Sequence, residues 1–214
     1  MWAAIRQSTM PGEAGLASRS WAWAIAIALG YYIAAEGAFL IGTLSDGIFA
    51  PFWPPNAVLF SALLLSPRKR WGLILAAAFP AHVVAELGVG MAPDRIMLAF
   101  ASNCALALAN AWIARRFLTG PPWFGTLRNV ITYIALCVGV VPALVAVAGA
   151  MVPAGATTNL ARYWLYWSNW FLGNALAGLT LSPVLLTWLM PDRRHRTSNT
   201  VWRQIEALLF VAAF

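Results

Sequence analysis

Charge is scarce in this chain. Asp, Glu, Lys and Arg make up 10% of its 214 residues, where a soluble globular domain carries about 25%. That shortage argues against a soluble enzyme and against a solvated, disordered tail. Cysteine is nearly absent. Cys104 and Cys137 both lie in apolar runs, which gives neither a disulfide framework nor a metal-binding spacing. They read as small apolar packing residues. Histidine is confined to His82 and His195. His195 falls in the basic segment 191–203, so the two cannot pair across a haem. One His with two Glu could hold a metal ion, but no metal or other cofactor is expected. No Gly-rich phosphate loop, nucleophile elbow or HExxH pattern occurs. Ser182-Pro183 has no base set beside it. These residues are therefore not expected to form an enzyme.

What the chain has in quantity is apolar surface. Hydrophobic residues reach 61% and the mean hydropathy is +0.72, which points to a polytopic membrane protein. A bilayer core about 30 Å thick needs about 20 apolar residues in helix. Six such stretches are expected: 21–43, a short one at 52–66, 71–90, 96–114, 129–150, and one inside 163–190. A seventh begins near Gln204 and stops at Phe214. Backbone groups in lipid must pair within their own segment, and the runs do not alternate as barrel strands would. The expected fold is all-α, a transmembrane helix bundle of six complete spans plus the start of a seventh. Residues 1–20 form an N-terminal segment, and 21–214 form one integral membrane domain cut in its last span. The segment 1–20 has no apolar core of its own and does not read as a cleaved signal peptide.

The basic residues set a direction. Twelve of the 14 fall in alternate loops: Arg6 and Arg19; Arg68, Lys69 and Arg70; Arg115, Arg116 and Arg128; Arg193, Arg194, Arg196 and Arg203. Only Arg95 and Arg162 fall on the other side. Basic residues near span ends stay in the cytoplasm, so the N-terminus is expected inside. The net charge of +7 thus speaks of topology, and no nucleic-acid partner is expected. Trp21, Trp23, Trp71, Trp112 and Trp188 fall near inner ends, and Trp53, Trp164, Trp167 and Trp170 near outer ones. Most fit an interfacial belt.

Ionisable groups inside spans are costly and mark candidate sites. There are three: Glu36 in the first span, and His82 and Glu86 in the third. His82 and Glu86, at i and i+4, share a helix face. At 1.5 Å per residue, Glu36 lies about 6 Å, His82 about 2 Å and Glu86 about 8 Å outward of its span centre. Asn103 and Asn174 also fall outward of centre, and Asn56 follows Trp53-Pro54-Pro55. Glu36, His82, Glu86, Asn103, Asn174, Trp53 and Asn56 are therefore the expected ligand-binding or proton-sensing set. The alternative is that such groups serve as glue between helices, the reading that suits Asn103 and Asn110 on one face. Pro80, Pro142 and Pro183 interrupt spans; membranes tolerate such breaks where protein or water re-satisfies the backbone.

Three stretches in order resemble the membrane-associated sensor domain of bacterial signalling proteins, type one (the MASE family). The first is Phe52-Trp53-Pro54-Pro55-Asn56-Ala57 with the later Ser66-Pro67-Arg68-Lys69-Arg70-Trp71. The second is the helix carrying Asn103 and Asn110 and ending at Arg115-Arg116. The third runs from Trp167-Ser168-Asn169-Trp170 through Gly173-Asn174 to Ser182-Pro183 and Trp188. Members commonly carry Gly after the two prolines and Asp at the position of Asn174; this chain has Asn at both. The resemblance implies about eight spans, both ends cytoplasmic, and an output module beyond the last span. Typical outputs are histidine kinases of two-component systems, diguanylate cyclases and cyclic-di-GMP phosphodiesterases. The expected function is a sensory input module in the bacterial inner membrane. It would detect a small molecule, a proton or the state of the bilayer, and relay it to a cytoplasmic output domain in cis. A homodimer would suit a kinase or cyclase output. A small transporter, or its substrate-binding subunit, is the rival, since proline-broken spans and midplane polar groups fit it too.

Overall fold

The computed structural model describes residues 13–44, 52–121, 123–155 and 159–189. The expected seventh span and the basic segment with His195 lie outside them. Among the described residues all regular structure is helical. In chain order the helices are α1 (Glu13–Leu44), α2 (Pro54–Leu65), α3 (Trp71–Gly88), α4 (Pro93–Phe117), α5 (Leu127–Tyr133), α6 (Val141–Gly149), α7 (Met151–Ala154) and α8 (Leu160–Leu189). A π-helical stretch, Ile134–Val140, joins α5 to α6.

Among the described residues five segments are long and apolar enough to cross a membrane: Trp21–Gly42, Arg68–Gly88, Pro93–Phe117, Leu127–Ala154 and Leu160–Leu189. The expected second span is not among them. As α2 it has 12 residues, about 18 Å of helix against a core of about 30 Å. Ten of its residues are buried, so it is a central pillar and carries little of the lipid-facing surface. It packs against α1, α4 and α8. The reason it can be short lies at its ends. Pro54 and Pro55 occupy the first two helical positions, where their missing N–H groups would have been orphan donors. The Trp53 backbone N–H donates to the Gly173 carbonyl at 3.1 Å. At the other end, the Arg115 guanidinium donates to the carbonyls of Leu63 at 3.3 Å and Leu64 at 2.8 Å, and to that of Ser66. The Trp71 indole also donates to the Leu63 carbonyl at 2.8 Å.

The core runs along the pillar. Leu59, Phe60 and Leu63 meet Ile27, Tyr31, Ile74, Ala107 and Ala111, all buried. Small residues let α4 come close: Ala107, Ala111 and Ala114 have no exposed surface, as expected where helices pack in lipid. Large apolar side chains such as Ile33, Leu144, Leu165 and Leu172 instead face outward. The π stretch precedes Pro142, which cannot donate to the ladder. Asn110 donates to the Cys137 carbonyl of that stretch at 3.1 Å.

The helix directions sort the bundle into two ends. The start of α1, the end of α2, the start of α3 and the end of α4 share one, here the basic end, with Arg68, Lys69, Arg70, Arg115 and Arg116. The opposite end holds Glu86, Arg95 and the N-terminus of α2.

Candidate functional site

Because α2 stops short, a space opens above its N-terminus. It is a cavity of about 550 Å³, with Trp53, Glu86, Arg95, Asn103, Trp170 and Asn174 among its walls. That volume lies within the range of small-molecule sites, about 300–1,000 Å³.

Each wall residue is set by local structure. Glu86 stands in the last turn of α3. That helix closes through Gly90, at φ 78°, with the Gly90 N–H on the Leu87 carbonyl and the Met91 N–H on the Glu86 carbonyl, both at 3.0 Å. This is a Schellman-type end, for which glycine suits the left-handed position. Pro93 then starts α4 and places Arg95 at the rim, where its side chain is exposed. Trp170 is 6% exposed and lies against Gly149, where an added Cβ would come within 2.3 Å of the indole. Trp53 meets Phe39 edge to face, centroids 5.5 Å apart.

Beneath the cavity runs a hydrogen-bonded chain linking α2, α8, α4, α1 and α3. Asn56 donates its amide to Asn174 Oδ1 at 2.7 Å and to Asn103 Oδ1 at 2.9 Å. Asn174 donates to the Trp170 carbonyl at 2.9 Å. Asn103 donates to the Tyr31 hydroxyl at 3.2 Å, and that hydroxyl lies 3.2 Å from His82 Nδ1. His82 Nε2 lies 3.1 Å from the Ile96 carbonyl. A carbonyl only accepts, so Nε2 carries the proton and donates. In the neutral ring Nδ1 then accepts from Tyr31, and the polarity of the whole chain is fixed.

Three buried polar atoms here have no partner: Glu86 Oε2, Trp53 Nε1 and Asn56 Oδ1. Glu86 is 3% exposed. Its other oxygen is 3.8 Å from His82 Nδ1, a nitrogen already engaged by Tyr31. Unpartnered buried polar groups are rare and call for a reason.

Glu86, Trp53, Asn103 and Asn174 thus line one cavity, with Asn56 and His82 in the chain of hydrogen bonds beneath. Glu36 does not join them. The buried stripe of α1 is Ala24, Ile27, Tyr31, Ala35 and Ala38, stepping by three or four residues. Glu36 is one residue, about 100°, off that stripe. It is exposed and hydrogen-bonded to Tyr32. Depth along the helix matched, but the face did not. Trp170, expected in an interfacial belt, is buried in the cavity wall, whereas Trp21, Trp112, Trp164 and Trp188 are exposed. Tyr31 and Arg95 were missed as members of this region. Position 31 on an apolar stripe is the available signal for the first, since a buried hydroxyl needs partners. Among the described residues no three of His, Cys, Asp and Glu gather where they could hold a metal ion.

The model of the MASE1 family matches residues 23–214. The chain belongs to this family of membrane-associated sensor domains. No curated protein and no solved structure matches it. It is a multi-pass membrane sensor domain of the kind found in signalling proteins. The three stretches that carried the resemblance to the MASE family meet at this one place, since Asn56, Asn103 and Asn174 are in direct contact. The two positions at which the resemblance implied Gly and Asp, Asn56 and Asn174, are partners. Asn56 donates to Asn174, and Asn174 passes a proton donor on to the Trp170 carbonyl, which a carboxylate could not do.

Proposed function

We propose that this MASE1 domain is the input module of a bacterial signalling protein, and that a small molecule enters the cavity above α2 as its signal. The observation that carries the reading is the cavity itself, lined by Glu86 and Trp53, whose Oε2 and Nε1 are buried without partners. In this reading the N-terminus is cytoplasmic and the domain sits in the bacterial inner membrane. The gathering of Arg68, Lys69, Arg70, Arg115 and Arg116 at one end supports that orientation. The cavity then opens toward the outer side. The cytoplasmic output would be a histidine kinase or a cyclic-di-GMP enzyme in cis, acting as a homodimer, and the sensor domain itself needs no catalytic residue or cofactor. A ligand shifts the output only by binding two arrangements of the bundle unequally. The pillar α2 is suited to carry the difference. Its N-terminus floors the cavity, and its C-terminus is held by Arg115 and Trp71 at the basic end.

The rival, a transporter, needs a route through the bundle. The packed layer of Leu59, Leu63, Ile74 and Ala107 beneath the cavity favours the sensor.

The test is thermal unfolding of the full chain in lipid nanodiscs against a metabolite library, with Ala99→Leu as the comparison. Ala99 lines the cavity and is 9% exposed, so the larger side chain fills space. A compound that stabilises the wild type, but not the filled variant, supports the cavity as input site. Equal stabilisation of both places the site elsewhere. Uptake of that compound into proteoliposomes would make the protein a transporter.

A further inference from the structure

The cavity walls carry more than space; they carry a charge pattern. Resting on the reading above, we infer that the ligand is a zwitterion bearing an ammonium group with N–H donors, seated on Glu86, and an anionic group, seated on Arg95.

The argument starts from Glu86. Glu86 is a residue of the cavity wall, and its Oε2, buried just behind that wall, has no partner. His82 does not serve it. With Nε2 donating to Ile96 and Nδ1 accepting from Tyr31, the ring has no proton to offer Glu86. Protonating the carboxyl would not help either, since a hydroxyl at Oε2 would be as unpartnered as the bare oxygen. What satisfies the atom, with a small turn of the carboxylate, is a donor that arrives from the cavity beside it, and a cationic donor does so most strongly. The aromatic walls point the same way. Trp53, Trp170, Tyr166 and Phe39 all border the space, and aromatic faces attract ammonium groups.

The second half of the pattern is Arg95. It borders the same cavity from the rim and brings five donors and no acceptor. Trp53 Nε1, buried and unpartnered, is a further donor in search of an acceptor. A cation alone would leave the Trp53 N–H unmet and set a second positive charge beside Arg95, and an anion alone would face Glu86. A molecule carrying both groups meets all three. Quaternary ammonium compounds are excluded from full satisfaction of the site, because they have no N–H for Oε2.

Two sources share this chemistry: a free amino acid, and the ethanolamine phosphate headgroup of a phospholipid. The experiment separates them. The full chain is placed in nanodiscs of phosphatidylcholine, whose headgroup lacks N–H, and titrated with free amino acids, with amines lacking an acid, with acids lacking an amine, and with betaine. Unfolding temperature and tryptophan fluorescence are read. The inference expects one or more amino acids to stabilise the chain and the other three probes, each lacking the acid, the amine or the N–H, to be at least about tenfold weaker. If instead the nanodiscs stabilise the chain only when phosphatidylethanolamine replaces phosphatidylcholine, the lipid headgroup is the zwitterion. In either case Glu86→Gln and Arg95→Gln should each weaken the effect by about tenfold. Arg95 is exposed, so its variant should fold normally and keeps the test valid if Glu86→Gln does not. Binding of an uncharged or singly charged compound that neither variant weakens would overturn the charge assignment and leave the cavity as input site. Stabilisation by none of these probes in either lipid also overturns it. The library screen with Ala99→Leu then decides separately whether the cavity is the input site.

Discussion

The two ends of α2 solve the same problem in opposite ways. Every short helix in a bundle presents orphan carbonyls at one end and orphan N–H groups at the other. At the basic end the carbonyls of Leu63, Leu64 and Ser66 are taken up by Arg115 and Trp71, and the guanidinium also lies over the Trp71 ring, 5.4 Å from its centroid. At the cavity end two donors are removed outright by Pro54 and Pro55. What remains nearby includes three polar atoms that nothing satisfies. The basic end is not perfect, since Arg115 Nε and Trp123 Nε1 also lack partners. Yet Arg115 already donates elsewhere, whereas Glu86 Oε2 belongs to a residue that lines a large cavity. The difference separates stability from response. Substitutions at the saturated end should cost folding; substitutions at the open end should cost ligand binding.

The largest effect is expected at Arg115. Arg115→Ala leaves the Leu64 carbonyl unmet, leaves those of Leu63 and Ser66 to Trp71, and removes the cover on the Trp71 ring. A loss of about 3 kcal/mol follows from stranding a buried acceptor, seen as a lower unfolding temperature in detergent. Lysine should restore only part of it: one nitrogen, Nη2, makes all three contacts, but an ammonium has no planar face to lay on the Trp71 ring. An Arg115→Ala protein as stable as wild type would erase the contrast between the ends.

Next is Gly149, which borders the cavity wall from behind. An alanine there meets the Trp170 indole at 2.3 Å, and a rigid ring cannot yield as a flexible side chain would. Gly149→Ala should cost about 1–3 kcal/mol through overpacking. It should also weaken ligand binding, because Trp170 must move toward the cavity. Unchanged ligand affinity would show that Trp170 does not shape the site.

The amide chain comes third. Asn56→Ala removes the donors to Asn103 and Asn174. At about 0.6 kcal/mol for each interhelical bond in a membrane, the loss is about 1 kcal/mol. A double-mutant cycle with Asn174→Ala should show the two residues coupled, since they touch. Strict additivity would mean that the contact between Asn56 and Asn174 contributes nothing.

Much of this molecule was legible before its structure. Long apolar runs force helices, Glu86 stands out as an ionisable group inside a span, Asn103 and Asn174 as polar groups at a matching depth, and Trp53 by its place before Pro54-Pro55 at an outer end. Depth is a one-dimensional quantity, however, and a site needs the other two dimensions. Glu36 passed the depth criterion and failed on helix face. The stripe of Ala24, Ile27, Tyr31, Ala35 and Ala38 that excludes it is written in the sequence, but it stands out only once the packed side is known, because both sides of a lipid-facing helix are apolar. Arg95 was read as a mark of topology, since a charge near a span end has a sufficient explanation there. The length of α2 was visible as a short run. That its shortness makes the cavity follows from the packing of Gly173 on Trp53, which no local pattern announces.

The smallest effect sharpens the comparison most, because it sets one carboxylate against another. Glu36 and Glu86 both lie in spans, yet Glu36 is exposed and its side chain has Tyr32 as a partner. Glu86 is buried and half unpartnered. Glu36→Gln preserves shape and hydrogen-bonding capacity at a surface position, so stability should change by no more than about 0.5 kcal/mol. The ligand response should be unaltered, because Glu36 is not part of the cavity wall. Glu86→Gln should likewise leave much of the fold intact, since the carboxylate makes few bonds to lose, while abolishing most of the response. The pair is measured as two unfolding curves and two ligand titrations in the same nanodiscs. If Glu36→Gln loses the response and Glu86→Gln keeps it, the signal enters across the exposed face of α1. Depth would then have been the better guide, and the cavity above α2 would be a packing defect with no role in sensing.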